Sequence, residues 1–230
     1  ARPTDALSGE HTARLSARRL GDIHPETIVA EYAAAARDIA LAGPPPALQG
    51  PVVLIGEAAS DFFSLPPSPL SFHASARFAH EKSNRYDKGK PITGSTPVTG
   101  EPLNLISDPL VPFGVVSSRY ASYDGTACRR VQLVKDGCYA DLFGQRRYFD
   151  YLGLLKQDVR PPGMLGNTVI PAGKTTTAEL MSDNEVVIRA FSAFEVDAAS
   201  GRFSVEIRLG IAHESGQARP FTGGLLVGNF

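Results

Sequence analysis

The sequence contains no tryptophan and only two cysteines, too few for the disulfide framework of a small secreted protein. It also lacks an excess of either charge, since 23 basic residues against 24 acidic ones leave a formal net charge of -1. This balance provides no electrostatic basis for nucleic acid or an anionic membrane as the main partner. No apolar run approaches the roughly 20 residues that span a bilayer, and no signal-peptide stretch opens the chain. We therefore expect no nucleic acid and no membrane as partner.

An initiator methionine is absent because the sequence begins with Ala1, so we expect a processed polypeptide or part of a longer one. The 230 residues are 43% hydrophobic and 20% charged, an ordinary globular balance whose length allows one large domain or two small ones. We predict a single domain over 1–230. It would comprise a polar arm at 1–23, a helix and strand part at 24–104, and a β-rich part at 105–230. A basic binding tail is the alternative for the arm.

The two cysteines, Cys128 and Cys138, stand on either side of an Asp136-Gly137 turn. Asp-Gly is a strong signal for a two-residue hairpin, which would pair Lys135 with Cys138. Cys128 would then lie opposite a residue near Gln145, too far from Cys138 for a disulfide. We predict two free thiols and, with them, a reducing cytoplasmic location.

Proline and glycine delimit the first predicted helix and the loop that ends the N-terminal half. His24-Pro25-Glu26 predicts a helix start, and Gly43 with three following prolines predicts its end. The apolar face of this helix would contain Ile28, Val29, Tyr32, Ala35, Ala36 and Ile39. Residues 83–104 are rich in Lys, Gly, Pro, Ser and Thr, which indicates a long surface loop.

The stretch 51–64 begins with four apolar residues, Val52 to Ile55, which favour a buried strand. It continues with the spacing of an amphipathic helix, on whose polar face Glu57 and Asp61 would lie one turn apart. A zinc-protease helix uses such positions for a histidine, a neighbouring glutamate base and a second histidine. Here those positions contain Gly56, Glu57 and Asp61.

Two histidines, His73 and His80, fall in the segment 71–82 at a spacing of two helical turns. On one helix they would share a face with Glu81 beside them. A metal site needs at least one further ligand at a sequence spacing typical of metal-binding motifs, and the sequence offers none. Solvated or hydrogen-bonded histidines are therefore the favoured interpretation.

The C-terminal half has the alternation and turn signals of an antiparallel β meander. The predicted strands are Ala127–Val134 with Val131 and Leu133 buried, then 138–143, 190–196, 202–211 and Phe221–Val227, with a short helix at 146–156 and a turn at 215–217. Thr222-Gly223-Gly224 is interpreted as a turn at a strand end. Together with the mixed N-terminal half, these strands predict an α+β fold.

Three polar residues of this half are candidates for peptide binding: Arg129, Arg130 and Asn167. On a strand the two arginines would point to opposite faces, so at most one would enter a cleft. Asn167 follows Gly166 and could cap or bind a peptide backbone, although a turn asparagine is the simpler interpretation.

The order of these segments resembles the C-terminal domain of the TldD/PmbA family, once described as modulators of DNA gyrase. The resemblance rests on the strand leading into the Glu57 helix and on several later segments. These are Tyr123-Asp124-Gly125-Thr126, Arg129-Arg130, Lys135-Asp136-Gly137, Gly166-Asn167-Thr168, Pro171-Ala172-Gly173, Asp197 to Ser204, and Gly228-Asn229.

The resemblance implies one of two kinds of subunit. The TldD kind carries His-Glu-x-x-x-His on a helix, takes a third zinc ligand from a cysteine near its C-terminus, and degrades or trims peptides. The PmbA kind, also called TldE, lacks the histidines and pairs with TldD around a peptide channel. Members of both kinds have an N-terminal α/β domain, which is expected to be absent from this chain.

This sequence departs from the zinc-binding pattern at Gly56 and Asp61, and the region of the third ligand is expected beyond Phe230. The resemblance therefore implies a PmbA/TldE-like subunit with no metal or cofactor of its own, in which Glu57 and Asp61 are vestigial or weak catalytic candidates. Zinc would be held only by a TldD-type partner. The expected partners are such a subunit, or a second copy of this chain, and a peptide substrate undergoing proteolysis or maturation.

Two alternatives to this function remain open. One is a free-standing hydrolase with a rewired site without zinc, using the carboxylates Glu57 and Asp61, the histidines His73 and His80, or the thiols. The other is a non-catalytic interaction protein.

Overall fold

The structure is a computed structural model that describes residues 10–12, 17, 19–47, 51–64, 68–155, 161–182, 186–197, 200–214 and 217–229. The chain folds into two compact units. The first comprises Ala1–Phe62, Thr175–Glu195 and Ser204–Val227, and the second comprises Phe63–Lys174, Val196–Phe203 and Gly228–Phe230.

Helices and strands are mixed along the chain, which confirms the α+β class. Among the described residues, a 3-10 turn at Leu20–Asp22 precedes the helices α1 Pro25–Leu41, α2 Gly56–Ser64, α3 Pro69–His73, α4 Ala76–His80, α5 Arg146–Tyr151 and α6 Thr177–Ser182. The strands are β1 Val53–Leu54, β2 Leu105–Asp108, β3 Val131–Lys135, β4 Cys138–Tyr139, β5 Asn167–Val169, β6 Val186–Asp197, β7 Arg202–Glu214, β8 Gln217–Phe221 and β9 Leu225–Asn229. In the part of the chain that the structure describes, no helix has both the length and the apolarity needed to cross a membrane.

The larger sheet contains five strands in the order β1-β6-β7-β8, with β9 also paired to β7. β1 runs parallel to β6, with Val53 opposite Val187, whereas β7 and β8 are antiparallel. In the first unit, α2 packs against this sheet through Ala58, which is fully buried beside Ile188 and other apolar side chains. This packing anchors the N-terminal turn of α2, which carries the candidate site.

Helix α1 also packs in the first unit. Ala35 and Ile39, one turn apart, are buried together with Ala190 and Leu209. The predicted apolar face is right at these two positions and wrong at Val29, whose side chain is 66% exposed. Pro25 occupies the first turn, where its missing N–H costs no helical hydrogen bond.

The second unit is built on a four-stranded antiparallel sheet in the order β4-β3-β2-β5. Val131 and Leu133 are buried as predicted, and Lys135 pairs with Cys138. Asp136 and Gly137 both have positive φ, at 49° and 74°, which matches the turn geometry that Asp-Gly favours. The hairpin prediction is therefore confirmed.

Several predicted elements have different bounds. The strand predicted at Ala127–Val134 begins only at Val131, and the return strand predicted at 138–143 ends at Tyr139. The strand predicted at Phe221–Val227 is interrupted between β8 and β9 by Thr222-Gly223-Gly224, where both glycines have φ of +80°. The strand end predicted at this tripeptide is confirmed, and its positive φ values outweigh the apolar alternation around it. The interpretation as a turn is wrong, because the Gly223 N–H donates to the Ile207 carbonyl and the Gly224 carbonyl accepts the Ile207 N–H, which keeps both glycines beside β7.

The segment 71–82 is two short helices, so the prediction that His73 and His80 share one helical face is wrong. Ala74 and Ser75 separate α3 from α4, and Ser75 forms an isolated parallel bridge with Phe143. Residues 83–104 form neither helix nor strand, as predicted. Most of the arm at 1–23, the helix break at 65–67 and the turn positions 215–216 lie outside the described residues.

Candidate functional site

The turn from β1 into α2 positions the predicted catalytic helix. The N–H of Ile55 donates to the carbonyl of Ile188 at 3.0 Å, which extends the pairing with β6 by one residue. The chain then turns at Gly56, which has φ of +56°, and enters α2 with Glu57 in its first turn. A carboxylate in that turn is favoured because the helix dipole presents its positive end there.

Glycine is favoured at position 56 by the backbone conformation and not by neighbouring atoms that would clash with a side chain. Apart from the adjoining backbone, no atom of the described residues lies within 4 Å of the place where a Cβ would stand, yet the positive φ disfavours any side chain. A histidine at this position would have space but would strain the backbone. The position that the family resemblance assigns to the first zinc ligand is thus shaped for glycine.

Glu57 lines a cavity of about 390 Å³ that lies within the first unit. The lining residues come from the N-terminal segment, α1, the β1–α2 turn and two strands: His11, Glu31, Tyr32, Ala35, Ile55, Gly56, Glu57, Arg189 and Leu209. The Glu57 side chain is 39% exposed, so it is accessible to a ligand in the cavity.

His11 is the residue of this site that sequence reasoning did not identify. Its Nε2 lies 3.9 Å from Oε2 of Glu57, and its side chain is only 8% exposed. Its ring meets the ring of Tyr32 edge-on, with centroids 5.4 Å apart. No spacing rule connects a histidine in a polar arm with a distant helix, so its sequence context gave no signal.

The charged groups around the cavity are mostly acidic. Glu31 and Glu57 both contribute carboxylates to the lining. Arg189 contributes a guanidinium, but its Nη1 lies 3.4 Å from Oδ2 of Asp38, which compensates its charge. The cavity therefore suits a cationic ligand better than an anionic one.

Asp61 lies one turn beyond Glu57 on α2, as predicted, but it is not among the residues lining the cavity. Burial raises the pKa of its carboxyl above the ordinary value. The structure therefore brings Glu57 together with His11 and leaves Asp61 outside the cavity.

The donor set at this site does not fit the zinc ion that the fold family implies. Gly56 has no side-chain donor, Glu57 and Asp61 offer hard oxygen ligands, and the His11 imidazole adds one nitrogen beside Glu57, which is fewer than the donors of a zinc site. Among the residues that the structure describes, no group of three or more His, Cys, Asp or Glu side chains could hold a metal ion. No catalytic step through zinc is therefore derived for this chain.

His73 and His80 have separate surroundings in the second unit. His73 is fully buried, and its Nδ1 accepts the Arg85 N–H at 3.1 Å. His80 is exposed beside Tyr148 and Tyr151, with the ring centroids of His80 and Tyr151 5.0 Å apart. The interpretation as hydrogen-bonded or surface histidines describes them better than a shared metal site.

The predicted peptide-binding residues also lie in the second unit, where Arg130 and Asn167 meet at Asp108. Arg130 Nε lies 4.0 Å from Oδ2 of Asp108, and Asn167 Nδ2 donates to the Asp108 carbonyl at 3.0 Å. Residues 129 and 130 precede β3, so the expectation that a strand points the two arginines to opposite faces is wrong. Both arginines are exposed.

The side-chain amide of Asn167 holds the loop that follows β2. Its Nδ2 also donates to Ser117 Oγ at 2.8 Å, and its Oδ1 accepts the Val116 N–H at 3.3 Å. A Cβ at Gly114 would lie 2.5 Å from this amide, so glycine permits the loop to pass closely. Asn167 therefore has a structural function, and its contact with peptide stays a prediction.

Both cysteines are free, as predicted. Cys128 is buried and Cys138 is partly exposed. Cys128 lies outside the paired part of the hairpin, because its N–H donates to the Arg119 carbonyl. Its Sγ lies near Gly163, which pairs with Gly144 beside Gln145.

Comparison with known proteins identifies the fold and the family. Residues 49–230 match the model of the PmbA/TldA metallopeptidase C-terminal domain. No curated protein matches the chain.

Three solved structures share the fold. A candidate modulator of DNA gyrase from Thermotoga maritima has a TM-score of 0.70 at 19% identity over 93% of this chain and 49% of that one. A second candidate modulator of DNA gyrase, from Bacteroides thetaiotaomicron, has a TM-score of 0.70 at 16% identity over 91% and 46%. TldE from Thermococcus kodakarensis has a TM-score of 0.67 at 16% identity over 89% and 47%.

The chain thus spans just under half the length of these three proteins. The match to the family model covers most of the chain, including β1, α2 and both sheets. The chain belongs to the PmbA/TldD metallopeptidase family and carries its C-terminal domain.

Proposed function

We propose that this chain is a PmbA/TldE-like subunit that has no zinc of its own and helps a TldD-type zinc metallopeptidase to bind and process peptides. The observation that carries the proposal is the β1–α2 turn. It retains Glu57 in the first turn of the helix and places a glycine with φ of +56° where the resemblance expects a zinc ligand.

Chemistry supports the assignment of catalysis to a partner. A glutamate base in a metallopeptidase acts on a water that the metal has made acidic. Without that ion, Glu57 has no activated water, and the weakly acidic cavity around it serves binding better than hydrolysis. A subunit of this kind contributes surface and orientation to the reaction, and the partner contributes the metal.

Peptide binding by the second unit would use the outer strand of its sheet. β5 pairs with β2 on one side and is the last strand in the order β4-β3-β2-β5. An extended peptide can add to such an edge through main-chain hydrogen bonds. In the proposal Asn167, the first residue of this strand, and the arginines Arg129 and Arg130 help to orient the peptide.

The assembly and its location are also part of the proposal. A distinct TldD-type subunit is the preferred partner because it would supply the zinc that the donor set here does not fit. A second copy of the chain would leave the assembly without metal. Free thiols at Cys128 and Cys138 favour a reducing cytoplasm.

Co-expression with a TldD-type subunit from the same source tests the proposal. The two chains are expected to co-purify, and the pair is expected to cleave peptides under conditions in which this chain alone does not. Replacing the motif glutamate of the partner should abolish turnover, whereas Glu57→Gln here should leave a slower but active pair. Turnover by the isolated chain, lost in Glu57→Gln, would establish an independent hydrolase and refute the proposal.

A further inference from the structure

A short segment of the chain itself, Glu10–Thr12, contributes the His11 side chain to the cavity beside Glu57. Arg208 on β7 holds the main chain of this segment: its Nε and Nη2 donate to the Glu10 carbonyl at 3.2 and 3.0 Å. Nη2 also lies 3.6 Å from the carboxylate of Glu10. A guanidinium that donates two hydrogen bonds to one backbone carbonyl binds the peptide main chain, whatever the peptide sequence.

The next residue of the segment enters the cavity. The His11 side chain is 92% removed from solvent, given its exposure of 8%, and it lies between Glu57 and the ring of Tyr32. A carboxylate on one side and an aromatic ring on the other are the two groups that attract an imidazolium, ammonium or guanidinium group. The contacts thus combine main-chain capture at residue 10 with side-chain selection at residue 11.

The remaining space and charge indicate which side chains the cavity prefers. About 390 Å³ stays open beside His11, so a side chain longer than imidazole can be accommodated. Glu31 and Glu57 make this space acidic, because the charge of Arg189 is compensated by Asp38. An acidic side chain would be repelled, and a small apolar one would leave the carboxylates without a partner.

We propose that this cavity is a peptide subsite for a histidine or a longer basic side chain, and that Glu10–Thr12 occupies it in cis. The inference rests on the proposed function only in taking peptides as the ligand class. A peptide that binds in trans must take over the contacts that Glu10 and His11 make with Arg208, Glu57 and Tyr32. The tethered segment competes for them at the high effective concentration of an intramolecular ligand. Removal of the His11 side chain therefore weakens this competitor and frees its contacts with Glu57 and Tyr32.

Fluorescence anisotropy with a labelled hexapeptide of residues 8–13, Ser-Gly-Glu-His-Thr-Ala, tests the proposal on the full chain. The peptide is expected to bind the His11→Ala protein about tenfold more tightly than the unmodified protein. An arginine in place of the peptide histidine should bind at least as well. Alanine or glutamate at that position should lose about tenfold in affinity.

A second substitution assigns the binding to the cavity. In the His11→Ala background, Glu57→Gln preserves the shape of the side chain and removes its charge, and it should weaken binding of the arginine peptide about tenfold. Glu26→Gln is the matched control, because Glu26 is an exposed carboxylate on the same helix as Glu31 and does not line the cavity.

Equal affinity of the unmodified and His11→Ala proteins would overturn occupation in cis. Equal affinity of the histidine, arginine, alanine and glutamate peptides for the His11→Ala protein would overturn the subsite. Neither result would affect co-purification with a TldD-type subunit. Conversely, failure to find such a partner would refute the proposed function while leaving the selective binding of basic peptides intact.

Discussion

Among single residues, Gly56 determines how the chain enters the candidate site. Its φ of +56° allows the chain to leave β1 and begin α2 with Glu57 in place, and an L side chain there would approach its own backbone too closely. Glycine at this position therefore has two consequences at once: it offers no nitrogen ligand, and it permits the turn into α2.

Gly56→Ala is expected to lower the free energy of unfolding by about 1–2 kcal/mol, the cost of a left-handed conformation for a residue with a Cβ. Urea denaturation followed by far-ultraviolet circular dichroism measures the change. Gly21→Ala is the control, because Gly21 has open space around it and no positive φ. Equal effects of the two substitutions would show that the turn at Gly56 is not strained by a side chain.

His73 makes the stability of the chain depend on pH. Burial, aided by the nearby charge of Arg85, lowers its pKa from the ordinary 6.5 to about 4. Between these values the unfolded chain binds a proton that the folded chain excludes. The stabilising contribution is complete above pH 6.5 and is lost as the pH falls toward 4, by about 3 kcal/mol if each pH unit contributes roughly 1.4 kcal/mol.

Urea denaturation at several values of pH between 4.5 and 7 tests this expectation. His73→Gln, whose amide oxygen can accept the Arg85 N–H, should give a shallower dependence of stability on pH than the unmodified chain. His80→Gln should not, because His80 is exposed. Parallel curves for the unmodified and His73→Gln proteins would show that His73 titrates normally in the folded state.

For these single residues, the sequence could predict the chemical groups but not the neighbours that the fold gives them. The identity of Glu57 and its place in a helix followed from the apolar run and the helical spacing around it. The partner of Glu57 did not, because His11 reaches it through the tertiary fold. Likewise, no local pattern distinguishes the buried His73 from the exposed His80, since each lies in a short helix with mixed neighbours.

Turns and strand pairs determine how far each element could be predicted. The Asp136-Gly137 hairpin and the strand end at Thr222-Gly223-Gly224 were predictable because each has residues that accept positive φ. The division of 71–82 into α3 and α4 was not. It depends on tertiary hydrogen bonds from Ala76 N–H to the Phe143 carbonyl and from Phe143 N–H to the Ala74 carbonyl.

The pairing of β7 with β8 provides a prediction for the large sheet. Gly210 lies opposite Phe221, and a Cβ at Gly210 would overlap the buried ring of Phe221. Gly210→Ala should therefore destabilise the protein by about 1–3 kcal/mol through overpacking. Gly100→Ala, at a position with no atom within 4 Å of the added carbon, should change the stability by less than about 0.5 kcal/mol.

A double-mutant cycle identifies the cause. Phe221→Leu replaces the ring that meets the added methyl group with a smaller side chain. The two substitutions together should therefore lower the free energy of unfolding by less than the sum of their separate effects. Denaturant unfolding of the four proteins gives the coupling energy. Strict additivity would mean that the loss arises from the strand backbone and not from contact between the two side chains.

For the whole molecule, membership of the family accounts for the order of helices and strands, which composition alone could not predict. Composition and charge provided no basis for expecting nucleic acid or a membrane as partner, and alternation predicted the β-rich half. The ordered segments from β1 to Gly228-Asn229 then indicated the family. The parallel pairing of β1 with β6 could not be predicted, because it joins strands far apart in the sequence and depends on the core around Ala58.

The chain, as proposed, keeps the helix of a metallopeptidase without a zinc site. Elemental analysis of the purified chain, saturated with zinc and then passed through a desalting column, is the decisive measurement. Zinc is expected not to remain in stoichiometric amount, and Glu57→Gln is expected to retain as little as the unmodified chain. One tightly held zinc per chain, reduced by Glu57→Gln or by Asp61→Asn, would refute the proposal.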